Sequence, residues 1–155
     1  MNGNKTLIET FYSAFQRKDY STMQSLYHDE AIFSDPVFRN LNATEVRGMW
    51  KMLLTSSSDL RVEFNHVKAA SGKGSCHWEA WYTFSKTKRP VHNVIDASFE
   101  FREGRIFRHY DNFDLWRWSR QALGPAGLFL GWSPFLRNKV RKTATERLDK
   151  FLGRS

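Results

Sequence analysis

The hydrophobic period of this chain changes once, near residue 60, and that change limits the folds open to it. Before that point apolar side chains recur at helical spacing; beyond it they alternate. Leu7, Phe11 and Phe15 predict a helix over about residues 6–17, with Thr6 and Glu9 spaced as a capping box. Ser21 and Gln24 repeat that spacing, and Met23, Leu26 and Tyr27 predict a short second helix ending near His28. A short apolar strand, Ala31 to Ser34, runs into Asp35-Pro36, where the proline keeps Asp35 out of helical geometry. Asn42 and Glu45 open a third helix whose buried stripe is Val46, Met49, Trp50, Leu53 and Leu54.

After residue 60, Leu60, Val62 and Phe64 alternate with Arg61, Glu63 and Asn65. Turn signals at 71–74, 86–90 and Glu103-Gly104 divide the remainder into strands over 75–85, 91–101 and 105–113. Hairpins this tight require antiparallel pairing. Asp114 then caps a helix carrying Leu115, Trp118 and Leu123, with Gly124 at its C-terminal end. Helices gathered ahead of an antiparallel meander predict an α+β fold, a curved sheet wrapped over the helices as a deep apolar cone.

The chain has 155 residues, enough for one ordinary domain. Its 13 Phe, 6 Trp and 5 Tyr supply either the wall of a cavity or a bulky core. The net charge of +8 is uneven: residues 133–155 hold seven basic side chains against two acidic ones. The basic character belongs mostly to the tail, which argues against nucleic acid as a partner of the whole domain. Cys76 is the single cysteine, so an internal disulfide is excluded and a reducing, cytoplasmic setting is natural. His28, His66, His77, His92 and His109 lack metal-ligand spacing, so no metal is expected; no phosphate loop or nucleophile elbow is present, and no organic cofactor is implied.

Three stretches carry a resemblance. They are Phe11 through Phe38, centred on Ile32-Phe33-Ser34-Asp35-Pro36-Val37; Ala97 through Ile106; and His109 through Asp114 with Gln121 to Gly124. Together they resemble the nuclear transport factor 2-like superfamily of cystatin-like cone folds, which includes ketosteroid isomerases and SnoaL-like polyketide cyclases. The likeness spans about residues 5–124, so the expected organisation is a domain over 1–124 and a helical extension over 125–155. It implies cofactor-free acid/base chemistry on an apolar carbonyl compound inside the cone, or, alternatively, a non-catalytic ligand-binding or protein-interaction module. It also implies a homodimer through the outer sheet face.

Asp35 matches the isomerase general base by motif; a carboxylate in an apolar cone has its pKa raised, while an Asp-Pro turn uses the same residue structurally. Isomerase spacing places Phe11, which has no donor, where that family holds a tyrosine; Tyr12 stands about 100° further around the helix. Registering Phe99 and Phe101 on the family's aromatic pair places Ala97, not Asp96, at its second acid. Along the last strand His109, Asp111 and Phe113 share one face. His109 with Asp111 forms either an acid/base pair or a satisfied polar pair at the cavity mouth, Asp111 being the match to the cyclase acid. Asn93 shares a face with Ala97 and Phe99, and Phe33 and Trp50 join the candidate ligand wall. Asp114 is assigned to the helix cap.

The tail combines an apolar loop from Gly124 to Pro134 with a helix in which Leu136, Val140, Ala144, Leu148 and Leu152 recur every four residues, Phe151 beside them. The other face carries the Lys/Arg cluster. It can dock on its own domain, on a dimer mate or on an anionic membrane, and docking on protein is favoured over membrane contact.

Overall fold

The computed structural model describes residues 3–125 and 133–154. Helix α1 (Gly3–Gln16) buries Leu7, Ile8, Phe11, Tyr12, Ala14 and Phe15 along one stripe. It begins at Gly3, so Thr6 and Glu9 lie within it rather than at its cap. Helix α2 (Tyr20–Ser25) is capped by Asp19, not by Ser21: Asp19 Oδ1 accepts from the Thr22 N–H at 3.1 Å. Tyr27 and His28, predicted at the end of this helix, instead begin strand β1 (Tyr27–Ser34). Pairing overrides local propensity here, because Tyr27 lies opposite Ile106 in a parallel ladder.

Helix α3 (Ala43–Ser56) has the capping box read from the sequence, Asn42 and Glu45 each accepting the other's backbone N–H. Strands β2 (Arg61–Ala70), β3 (Lys73–Phe84), β4 (Arg89–Arg102) and β5 (Arg105–Asn112) form the antiparallel meander. The five-stranded order is β1-β5-β4-β3-β2, with β1 added in parallel at one edge. Two hairpin turns, Ser71-Gly72 and Glu103-Gly104, hold both central residues at positive φ, as a two-residue turn matched to strand twist requires. Register shifts at Asn65/Lys68 and Glu100/Phe101 bend the sheet, which remains open.

The concave face presents Val62, Trp78, Ala80, Ile95, Ala97, Phe99, Ile106, His109 and Asp111, all buried, to α1 and α3. Helix α4 (Leu115–Leu123) starts on an Asp114 cap that accepts the Arg117 N–H and ends at Gly124 (φ 66°). It is tied to the β3–β4 end: the Thr87 hydroxyl donates to the Ala122 carbonyl, and Gln121 both accepts from and donates to the His92 backbone.

Helix α5 (Pro134–Phe151) docks on the domain itself. Leu148 is buried against the core, with Ala144 and Leu152 partly buried beside it. Leu152 lies against Gly48 of α3, where a Cβ would meet its methyl group. Polar anchors reinforce the seat: Arg154 pairs with Glu45 at 2.6 Å, and Arg141 Nε donates to the Pro36 carbonyl at 2.8 Å. Phe151, expected on the apolar side, is exposed, as is Phe135. Residues 126–132 of the apolar loop lie outside the described residues. Among those described, no helix is long and apolar enough to cross a membrane.

Leu148→Ala removes a side chain that is 1% exposed, and the expected loss is about 2–5 kcal/mol of unfolding free energy in urea titration. Phe135→Ala, at 75% exposure, is expected to stay within about 0.5 kcal/mol of the parent.

Candidate functional site

Strand alternation aims His109 and Asp111 into the cone, both at 2% exposure. A buried ion-capable pair needs partners, and neighbouring elements supply them. Trp78 Nε1 on β3 donates to Asp111 Oδ1 at 3.3 Å, and His109 Nε2 meets the same oxygen at 3.0 Å. Tyr27 Oη on β1 lies 2.8 Å from His109 Nδ1, and Trp50 Nε1 on α3 donates to Tyr27 Oη at 2.9 Å. One assignment satisfies every donor. His109 Nε2–H donates to Asp111, the Tyr27 O–H donates to Nδ1, and the Tyr27 oxygen accepts from Trp50. Burial pushes the Tyr27 phenol well above its usual range, so it stays a donor.

Rings enclose the imidazole. Phe99 lies 4.4 Å from it between centroids, Phe33 4.9 Å, Phe11 5.8 Å, Tyr27 6.0 Å and Trp50 6.4 Å. The aromatic side chains of the cone are in mutual contact. Two concavities, of about 410 and 290 Å³, open on the β2–β3–β4 side around Lys68 and Ser75; neither is lined by Asp35, His109 or Asp111.

Tyr12 stands out within this interior. Its side chain is fully buried, packed on Phe11, Phe64, Trp78 and Phe99. Its hydroxyl has no hydrogen-bond partner among the described residues. Burial and then the Asp111 charge hold its pKa well above the usual phenol value, so it remains an O–H donor.

Asp35 sits where β1 gives way to the proline loop. Its Oδ1 accepts the Val37 and Phe38 N–H groups at 2.7 and 2.6 Å, and its own N–H donates to the Phe38 carbonyl. This is the turn geometry that Asp-Pro favours. The second oxygen, Oδ2, has no partner among the described residues. Burial pushes the carboxyl up to about 7; the Phe38 N–H opposes this, and the Asp111 charge adds to it. Tyr82 is close enough for the Asp35 charge to act on it, and its hydroxyl accepts from Trp118 Nε1 at 2.7 Å.

The other candidates are placed as follows. Ala97 faces inward and Asp96 outward, where Asp96 Oδ1 meets His77 Nδ1 at 2.9 Å. Asn93 is half-buried on the inward register of β4. Phe101 stacks on Phe99, and Phe113, just beyond β5, is partly buried against the core. Tyr27, Trp78 and Tyr82 as polar partners were not singled out from the sequence; Tyr27 carried a helical pattern, and indole donors give no spacing signal. Among the described residues no cluster of His, Cys, Asp or Glu is arranged to hold a metal.

Tyr27→Phe leaves the Trp50 N–H and one His109 nitrogen unpaired, and is expected to cost about 1–3 kcal/mol in urea unfolding. Tyr12→Phe removes an unpartnered hydroxyl and is expected to leave stability unchanged or raised by the same measurement. The raised Asp35 pKa means the folded state holds a proton that the unfolded chain releases near pH 4. The contribution of Asp35 to stability therefore falls between about pH 4 and 7. Asp35→Asn is expected to gain stability relative to the parent as pH rises through that window, measured by unfolding at each pH.

A family model described as a SnoaL-like domain matches residues 8–109. No curated protein matches the chain by sequence. Among solved structures, TsrD from Streptomyces laurentii is 18% identical with a TM-score of 0.67, covering 79% of this chain and 95% of that one. IdmH from Streptomyces antibioticus, a candidate polyketide cyclase, is 18% identical with a TM-score of 0.64, covering 84% and 100%. An epoxide hydrolase of the LEH-like kind from M. tuberculosis is 16% identical with a TM-score of 0.63, covering 88% and 96%. These likenesses extend to the fold, and the family match settles membership: this chain belongs to the SnoaL-like family of the nuclear transport factor 2-like fold.

Proposed function

We propose that the protein binds a small, largely apolar carbonyl compound and moves a proton on it, with Asp35 as the general base and acid. The observation that carries this reading is the Asp35 carboxyl. One oxygen is held by two backbone N–H groups, the other is unpaired among the described residues, and the pKa is pushed up to about 7. A carboxylate poised near neutral pH both accepts and returns a proton efficiently. In the step envisaged, Oδ2 takes a proton from the carbon next to the carbonyl, and the bonding electrons move onto the carbonyl oxygen as an enolate. The proton then returns to a second carbon.

Tyr12, a buried donor without a partner among the described residues, is the group available to a carbonyl oxygen that reaches the interior. His109 and Asp111 support this site rather than supply its base. Both ring nitrogens of His109 and the Oδ1 of Asp111 are already engaged by Tyr27, Trp78 and each other, and the Asp111 charge helps to keep Asp35 protonated. Phe11, Phe33, Phe99 and Phe101 form the apolar wall, and the rings near Asp35 must part for a ligand to pass. The chemistry associated with IdmH, polyketide cyclisation, is of this proton-transfer class.

A second reading has its own support. The hydrogen-bonded His109–Asp111 pair also suits a binding module without turnover, with the exposed basic face of α5 meeting a partner or a membrane. The two readings separate in one experiment. Solvent-deuterium exchange at the carbons flanking the ketone of β-tetralone is followed by NMR, with and without protein. Exchange catalysed by the parent is expected to fall by about 10²–10⁴-fold in Asp35→Asn. Exchange indifferent to Asp35, together with a thermal shift by the ketone in both proteins, would establish binding alone.

A further inference from the structure

The loop that holds Asp35 meets the tail helix through arginines. Arg141 Nε donates to the Pro36 carbonyl at 2.8 Å, which brings α5 to the residue next to Asp35. Arg137 lies one turn before it on the same face of α5, and Arg39 projects from the proline loop. None of the three forms an ion pair with a carboxylate among the described residues, whereas Arg17, Arg47, Arg61, Arg105 and Arg154 all do so. Arg137 Nε is buried and has no acceptor among the described residues. Guanidinium groups repel one another, and a buried N–H without an acceptor costs free energy, so this convergence is unfavourable as it stands.

We propose that Arg39, Arg137 and Arg141 bind the oxyanion group of an otherwise apolar small molecule, a carboxylate or a phosphate, at the end of the cone beside Asp35. Planar guanidinium forks match both groups with paired hydrogen bonds, and such charge-assisted bonds are the strong ones. Position makes the cluster part of the site. An anion held there places the attached apolar body next to Asp35 and Tyr82, a placement that rests on the acid/base reading above. Partial burial, then the charges of Arg39 and Arg137, hold the Arg141 pKa below its usual value. The Asp35 charge acts on Arg141 and the Arg39 charge acts on Asp35, but none of these arginines closes to an ion pair with Asp35 among the described residues. The exposed lysines of α5, Lys139, Lys142 and Lys150, point away to solvent and serve as internal controls.

The test is calorimetric titration of 2-naphthoate and its neutral analogue 2-naphthamide at constant ionic strength. Naphthoate is expected to bind at least tenfold more tightly than the amide, and inorganic phosphate is expected to compete with it. Affinity is expected to fall at least tenfold in Arg141→Gln and Arg137→Gln and to stay within twofold in Lys150→Gln. Arg137→Gln breaks no side-chain hydrogen bond among the described residues, so it reports on binding even where Arg141→Gln disturbs the proline loop. Equal binding of naphthoate and naphthamide, or equal losses in Arg137→Gln and Lys150→Gln, would overturn the proposal. So would arginine-dependent binding to phosphatidylserine vesicles in the absence of naphthoate binding, which would assign the arginines to a lipid surface. Asp35→Asn separates the anion site from the acid/base reading. If naphthoate still depends on the arginines while ketone exchange ignores Asp35, the anion site stands and the acid/base reading falls. If exchange depends on Asp35 while naphthoate ignores the arginines, the acid/base reading stands and the anion site falls.

Discussion

A histidine and an aspartate buried inside a shell of aromatic rings need hydrogen-bond partners, and this requirement organises the domain. His109 and Asp111 lie on β5, but their hydrogen bonds come from β1, β3 and α3 through Tyr27, Trp78 and Trp50. The parallel addition of β1 to β5 is what brings Tyr27 within reach of the imidazole. The capping box that starts α3 determines which turn presents Trp50. A polar chain linking four elements costs more when it is partly broken than an apolar core of the same shape would. It therefore specifies one mutual arrangement of these elements.

In the function proposed above, the reactive position lies away from that interior pair. The sequence assigned the leading acid/base role to Asp111, with His109 beside it; in the fold both ring nitrogens of His109 and one oxygen of Asp111 are engaged, whereas Asp35 makes its two side-chain hydrogen bonds with backbone N–H groups of its own loop. The proline loop accounts for the difference. It turns one Asp35 oxygen onto two backbone N–H groups and leaves the other without a partner there, while burial raises the pKa. Of the two readings weighed for Asp35, the turn former is seen on Oδ1, and the proton carrier is the role proposed above for Oδ2.

The basic tail likewise divides into two populations. The arginines turn toward the domain, Arg141 Nε on the loop carbonyl, Arg154 on Glu45 and Arg137 half-buried with no acceptor for its Nε among the described residues, while the lysines face solvent. Net charge alone would have treated them as one basic patch. The opposite, convex face of the sheet is also strongly polar: Glu79 joins His77 and His92, and Trp81 stacks on His92 under Arg61.

Much of this protein was legible before any coordinates. The α+β class, the strand meander, the shared face of His109 and Asp111, the Asp114 cap and the apolar stripe holding Leu148 follow from period and capping chemistry, and the inward Ala97 with outward Asp96 from the family resemblance. These are local rules, and each acts within a few residues. The strand identity of Tyr27, the ring contacts inside the cone, the orphaned Tyr12 hydroxyl and the seating of Arg141 on the proline loop did not follow, because each depends on residues far apart in the chain. Whether a ring lines a hollow or fills it depends on volumes summed over several elements, and whether a charge is neutralised depends on which distant group folds against it. Sequence determined the elements and their faces; tertiary packing decided which polar groups were left with something to bind.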